Sequence, residues 1–428
     1  ENFKFLIPIS VILIPVFLGL FTAIATLVVG RYLNFNFTSI LLFSSSFAVS
    51  DYIRGKIFTG FPWNLVAYSW SWLTEILQIL NFLGLYAFNL VIITIFTLPA
   101  LLFLRIESYK KVLTLSLIFI FGFLTYIYGS FAINKNKALI NSIDNKNKIY
   151  VKVVSPNFEL KYDHTIEEIE KKLKLLIKYS DPEPKQKTLF IWPEGVFTGY
   201  SFKEINLFKK LVAEKFNKNH LILFGINTYN DELKVFNSLI IINNKFEIQY
   251  LYNKKKLVPF GEVLPFEVFL NKFGLKKITQ GLVSFTKGDL QKNFSYNNLN
   301  LLPLICYEII FPELIQNSSK KTNLLVNISE DGWFGNSIGP HQHFAKAIFR
   351  SIESSSFLVR SANKGISAII NNRGEVIKQL NIDETGNIEM NIPLIRSVYK
   401  NKNDLIFLIL LFTYLIIFLT FKIKKNEK

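Results

Sequence analysis

Apolar residues follow two different patterns along the chain. Through residues 3–29 they run almost unbroken, as FKFLIPISVILIPVFLGLFTAIATLVV with one charge near its start, which is enough to cross a hydrocarbon layer about 30 Å thick. Comparable stretches at 37–50, 76–104, 112–132 and 405–423 predict five spans in all. The second is the poorest, because Ser44, Ser45 and Ser46 interrupt it and Asp51 and Arg54 close it, so a short or re-entrant segment is expected there. A signal peptide would be shorter and would end in small residues; with no Met at position 1, further spans are expected before Glu1.

Between 134 and 403 short apolar runs alternate with amphipathic stretches. Residues 149–154 read as a buried strand, and apolar positions 166, 169, 173, 176 and 177 have helical spacing. A second strand at 188–192 precedes a predicted helix over 202–218. Strand-like runs follow at 221–226, 235–242, 246–252, 299–307 and 323–328. A helix over 339–353 then leads to strands near 357–361, 366–370, 376–380 and 387–392. The pattern predicts an α/β or α+β domain of about 250 residues built on one large sheet system, without internal repeats. Residues 271–298, with Gly274, Gly281 and Gly288, read as a long irregular loop. The expected organisation is membrane helices over 1–133, a folded domain over 134–403, and a last span with a basic tail over 404–428.

Short-loop charge sets the orientation. Arg105, Lys110 and Lys111, and Lys422, Lys424, Lys425 and Lys428 after the last span, belong on the cytoplasmic side, which puts 134–403 outside; Arg54 and Lys56 oppose this. Trp63, Trp70 and Trp72 fall in the outer loop, at the depth indole prefers. Of the formal net charge of +17, residues 134–403 carry +12, from 38 Lys+Arg and 26 Asp+Glu. Such a domain is attracted to anionic headgroups, although a solvated lysine-rich surface explains the charge equally well. Nucleic acid is not expected, since no recognition motif accompanies the scattered lysines. An apolar fraction of 50% excludes disorder, and a single cysteine excludes a disulfide scaffold or a Cys-rich zinc module.

Glu194, Lys254, Glu262, Cys306 and Glu308 lie where strand-like runs end, and strand ends converge at one edge of a sheet. A thiol needs a base or a cation to become a nucleophile. Glu194 could take its proton, Lys254 could hold a developing oxyanion, and Glu262 could orient Lys254. None of His164, His220, His341 and His343 stands in these segments, so a carboxylate would have to serve the thiol. Each residue also has a plainer role: Cys306 as inert core, Glu194 as a surface turn residue, Lys254 to Lys256 as a solvated charge run.

Together WPEG, YNKKKLVPFGE and ICYE resemble the Glu-Lys-Cys triad of the nitrilase superfamily. FTGFPW at 58–63, LVPFGE at 257–262, CYE at 306–308, DGWFGNSIGPHQHF at 331–344 and RSANKGISAII at 360–370 are similar to its membrane-embedded bacterial branch, the apolipoprotein N-acyltransferases. The resemblance implies a multi-span helical membrane domain plus an extracytoplasmic αββα sandwich. It implies Glu194 as general base, Lys254 as electrostatic stabiliser and Cys306 as nucleophile, with Glu262, Tyr307 and Glu308 supporting. Lys254 is the lysine at the family's position in Tyr252–Glu262.

The implied reaction moves an acyl chain from a phospholipid to Cys306 and then to the α-amine of a diacylglyceryl apolipoprotein, at the bacterial inner membrane with the domain on the periplasmic face. No cofactor or metal is expected; His341 and His343, two apart on a helix, do not face one ligand. A monomer is expected. Trp333, Phe334, Arg54, Trp63 and Tyr162 are candidate substrate contacts, Arg54 and Trp63 being equally explained as an interfacial anchor. Tyr162 stands where the family usually has Trp, and His341 where Trp is frequent. The alternatives are a membrane-anchored amidase or nitrilase that passes the thioester to water, and a non-catalytic lipid-binding or transport protein.

Overall fold

The computed structural model describes residues 7–34, 36–104, 106–263, 284–289, 292–316, 322–395 and 404–426. The chain divides into two compact units, 1–134 with 400–428, and 135–399.

In the first unit, four helices among the described residues are long and apolar enough to cross a membrane: Val11–Gly30, Leu85–Phe103, Ser108–Ser142 and Leu405–Ile423. Two expectations change. The serine-rich segment is not short but a continuous helix, Phe37–Lys56, although it is not among the four above; it is capped by Asn36, whose side chain accepts from the Ser39 N–H. Its serines bind the preceding helix: Ser46 Oγ donates to the Ala25 carbonyl and Ser50 Oγ to that of Phe21, both at 2.9 Å. Hydroxyls that depress hydropathy thus serve as helix-to-helix hydrogen bonds, a use known inside membranes. The 76–104 segment, expected as one span, is broken. Short turns at Thr74–Leu77 and Leu80–Leu83 end at Gly84, which has φ 76°, and the long helical run begins at Leu85.

Arg54 and Trp63 lie in this unit. Asp51 pairs with Arg54 at 2.8 Å and accepts from Asn89 Nδ2 at 2.8 Å, and Asn89 in turn accepts from the Ala67 N–H. Arg54 also donates to the Asn64 carbonyl at 3.3 Å. The guanidinium therefore ties the loop after Phe37–Lys56 to the helices, while Trp63 stacks on Phe61.

The second unit contains two six-stranded sheets, as the αββα sandwich implied by the resemblance requires, where the run pattern alone read one sheet system. The first is built from β1 (Lys148–Ser155), β2 (Thr188–Ile191), β3 (His220–Tyr229), β4 (Val235–Ile242), β5 (Ile248–Asn253) and β12 (Gly386–Pro393), in the order β12-β1-β2-β3-β4-β5. The second contains β6 (Phe294–Tyr296), β7 (Leu299–Ile305), β8 (Leu324–Glu330), β9 (Phe357–Asn363), β10 (Ser367–Ile370) and β11 (Val376–Leu380), in the order β11-β10-β9-β8-β7-β6. In each sheet three neighbouring strands are parallel, β1-β2-β3 and β7-β8-β9, and the outer ones antiparallel.

Strand alternation fixes the layers. Leu189, Ile191, Leu239 and Ile241 enter one buried cluster with Leu301, Ile305, Val326 and Val359 of the other sheet. Phe190, Trp192, Ile240 and Ile242 point the other way, onto Ile169, Leu173 and Leu176 of the helix Ile166–Ser180. With both faces covered, these strands are apolar at nearly every position, which is why the run pattern shows them as unbroken. The predicted helix over 202–218 is three short pieces, Phe202–Ile205, Asn206–Phe208 and Lys209–Lys215. Of the expected loop 271–298, residues 271–283 and 290–291 lie outside the described residues, and Phe294–Tyr296 is a strand.

Ile166–Ser180 starts with a reciprocal cap: Thr165 accepts from the Glu168 N–H and Glu168 accepts from the Thr165 N–H. Replacing Thr165 by Ala should cost the unit about 1 kcal/mol in denaturant unfolding, and Thr165→Ser much less.

Candidate active site

Strand ends bring the candidate residues together. Glu194 lies just beyond β2, Lys254 directly follows β5, and Cys306 directly follows β7. Lys254 is 1% exposed, and its Nζ donates to Glu262 Oε1 at 2.9 Å and lies 3.5 Å from Glu194 Oε1. Burial opposes the ammonium, but the charges of Glu194 and Glu262, and that of Cys306 when ionised, outweigh it and hold Lys254 protonated beyond the ordinary lysine range.

Asn237, a residue that pattern reading passes over, organises the two carboxylates. Its Nδ2 donates to Glu194 Oε1 and to Glu262 Oε1, each at 2.7 Å, and its carbonyl accepts the Lys254 N–H at 2.8 Å. The available sign was a polar pair, Asn237 and Ser238, inside the apolar strand VFNSLIII. Glu262 Oε2 accepts from the Val258 N–H, and Glu194 Oε2 from the Glu330 N–H.

Cys306 has φ 49°, in the left-handed region that costs an ordinary residue about 1–2 kcal/mol. β7 therefore ends in a sharp elbow with the thiol-bearing residue at its apex. Glu308, 0% exposed, braces it: Oε2 accepts the Ile305 N–H at 2.8 Å, while Oε1 accepts the Tyr252 hydroxyl at 2.8 Å and the Lys255 N–H at 2.7 Å. Glu308 thus joins the Cys306 elbow to the Lys254 segment through the backbone. Desolvation and the negative charge of Glu194 push the Cys306 thiol up, and Lys254 offsets this only in part. Both effects favour the protonated thiol.

Tyr162 and Trp333 meet at a tilt with ring centroids 5.9 Å apart, and Phe334 lies against His343 at 5.6 Å. Trp333 is 53% exposed, whereas the Tyr162 hydroxyl is buried without a hydrogen-bond partner among the described residues. Burial, with the charges of Glu330, Glu194 and Glu262, keeps that hydroxyl protonated. Tyr307 is buried and packs edge-on against Phe311.

Glu330 is a further buried acid that the sequence did not single out. Its carboxyl accepts from the Gly332 N–H at 2.9 Å and from Asn363 Nδ2 at 2.8 Å. It lies so close to Gly195, which has φ 75°, that a Cβ there would stand 2.7 Å from Oε2. Burial above all, with repulsion from Glu194 and Asp331, pushes Glu330 up to about 8 despite those two donors.

The model of the carbon-nitrogen hydrolase family matches residues 161–398, which places the second unit, with its two stacked sheets and its Glu, Lys and Cys at strand ends, in that class. The apolipoprotein N-acyltransferase N-terminal domain matches residues 2–98. The chain is 30% identical over 400 residues to the apolipoprotein N-acyltransferase of Rickettsia prowazekii, across 92% of this chain and 77% of that one. To the enzyme of the same name from Brucella melitensis it is 29% identical over 410 residues, across 93% and 76%. A nitrilase-superfamily protein of Saccharomyces cerevisiae superposes with a TM-score of 0.44 at 16% identity, covering 58% of this chain and 90% of that one. The chain belongs to the apolipoprotein N-acyltransferase family; it is an acyltransferase and a membrane protein.

Two measurements probe this geometry. Asn237→Ala removes a donor shared by two carboxylates, and should slow acyl transfer about 10- to 100-fold in single-turnover assays. The folded protein holds the Glu330 proton to about pH 8, whereas an unfolded chain releases it near 4.5, the ordinary value for a glutamate. That contribution to stability is complete at low pH and is lost as pH rises through this window. Unfolding free energies measured from pH 4 to 9 should therefore fall less steeply in Glu330→Gln than in wild type.

Proposed function

We propose that acyl transfer runs through a thioester on Cys306, with Glu194 as base and Lys254 as oxyanion stabiliser. The observation that carries this reading is the enclosed Lys254 ammonium, shared by Glu194 and Glu262 and electrostatically coupled to a thiol at the apex of a strained elbow.

In the first half-reaction Glu194 removes the thiol proton and sulfur attacks the ester carbonyl of a phospholipid. The oxyanion forms near Lys254, a preorganised positive charge that needs no reorientation. Collapse breaks the acyl C–O bond, and Glu194 returns the proton to the departing lysophospholipid alkoxide. In the second, the neutral α-amine of a diacylglyceryl apolipoprotein attacks the thioester. Glu194 accepts a proton from nitrogen, the C–S bond breaks, and the proton returns to sulfur. Glu262 takes the shorter contact with Lys254, and Asn237 donates to both carboxylates. Tyr162, Trp333 and Phe334 line the approach of the acyl chain.

Both substrates are lipids, so residues 134–403 work at a bilayer surface. The lysines at 110, 111 and 422 favour a cytoplasmic location for their ends of the spans, and hence the periplasmic face of the inner membrane for the catalytic domain.

Incubating purified full-length protein with phospholipid in detergent should add one acyl group to the intact mass, absent in Cys306→Ser and strongly slowed in Glu194→Gln. Adding a diacylglyceryl peptide should discharge it and yield an amide. An unmodified Cys306 with every phospholipid tried would overturn the mechanism.

A further inference from the structure

Behind the Cys306 elbow lies a buried charged cluster that the mechanism above does not use. Asp331 and Arg360 are each 0% exposed and His343 1%, and they come from three different elements: the turn after β8, strand β9 and the helix Gly339–Ser354. Arg360 Nη2 donates to Asp331 Oδ2 at 2.7 Å and approaches His343 Nδ1 at 3.1 Å. Asp331 Oδ1 accepts the Ser329 hydroxyl at 2.7 Å and stands 2.9 Å from His343 Nδ1. The other ring nitrogen, His343 Nε2, lies 3.2 Å from the carbonyl oxygen of Cys306 itself.

The three protonation states of the ring are not equivalent here. With hydrogen on Nδ1 alone the ring donates to Asp331 but leaves an Nε2 lone pair against the Cys306 oxygen. With hydrogen on Nε2 alone it donates to Cys306 and accepts from Arg360, while its Nδ1 lone pair faces Asp331 Oδ1; the doubly protonated ring donates to both Cys306 and Asp331. The 3.2 Å contact with the Cys306 carbonyl calls for hydrogen on Nε2, which the last two states supply. Burial, with Arg360 beside it, pushes His343 below the usual histidine range despite the opposing pull of Asp331.

We propose that His343 is a positioning residue for acyl transfer, its Nε2–H holding the Cys306 carbonyl so that the left-handed elbow keeps the thiol aimed at Glu194 and Lys254. The elbow is then pinned on both sides, by Glu308 at the Ile305 N–H and by His343 at the Cys306 C=O. A residue in an unfavourable backbone region persists only where its surroundings over-determine it, and such strain gathers at functional sites. Asp331 and Arg360 set the ring's orientation, much as outer partners orient a ligating or catalytic histidine. His343 touches no reacting atom; it acts through the backbone of the nucleophile.

The proposal rests on the thioester reading, and the test separates the two. Full-length wild type, His343→Gln and His343→Phe are compared by three readouts: folded yield, rate of thioester formation from phospholipid by intact mass, and rate of Cys306 alkylation by iodoacetamide. Glutamine keeps an N–H donor at similar reach, whereas phenylalanine fills the space without one. In folded protein, His343→Phe should lower the maximal acylation rate about 100-fold with an unchanged half-saturating phospholipid concentration, as expected for a misaimed group. Alkylation should slow in parallel, and His343→Gln should recover most of both rates. Folded His343→Phe within twofold of wild type in alkylation overturns the proposal, as does a His343→Gln no faster than His343→Phe. If wild type forms no thioester the mechanism fails instead, and the alkylation rates still decide the role of His343.

Discussion

One ammonium enclosed with two carboxylates governs the catalytic unit. Removing Lys254, Glu194 and Glu262 from water is costly, and a buried pair survives only when every remaining lone pair finds a donor. The surrounding fold meets that demand group by group: Asn237 serves one oxygen of each carboxylate, the Val258 N–H the second oxygen of Glu262, and the Glu330 N–H the second oxygen of Glu194. Those donors come from β4, from the segment after β5 and from the end of β8, so both sheets must be in register before the charges are satisfied. In the proposed mechanism the same arrangement serves the chemistry, because a cation held protonated beyond the ordinary lysine range stands ready for negative charge developing nearby.

Much of this was legible in the sequence. Unbroken apolar runs marked the membrane segments, and strand-length runs ending in Glu194, Lys254 and Cys306 pointed to one shared edge, which β2 and β5 of one sheet and β7 of the other form together. The misses have physical causes. The segment Phe37–Lys56 looked unfit to be a full helix because hydropathy counts a serine hydroxyl as a cost, whereas here Ser46 and Ser50 spend theirs on a neighbouring backbone. Gly84 breaks the 76–104 run through its backbone conformation, which composition does not encode. The run pattern alone gave one sheet system, because strands covered on both faces carry no mark of which partner they face; the two layers were implied only by the family resemblance, as an αββα sandwich.

The site's hidden members share a further reason. Asn237, Glu330, Asp331, His343 and Arg360 matter through tertiary contacts between elements far apart in the chain, and each alone is an unremarkable polar residue in a strand, turn or helix. His343 was weighed only as half of a metal pair, and local spacing could not place its ring against the Cys306 carbonyl. The positive φ of Cys306 is equally silent in the sequence, since cysteine has no preference for that region.

Glu308 has a mechanical consequence. By accepting N–H groups from both the Lys254 segment and the Cys306 elbow, together with the Tyr252 hydroxyl, it rivets the end of one sheet to the end of the other. The two sheets cannot slide past each other without first tearing those bonds from a buried carboxylate. Local breathing at this edge is therefore coupled to separation of the whole sandwich, and the slowest-exchanging amide hydrogens of the unit should include those at Ile305 and Lys255.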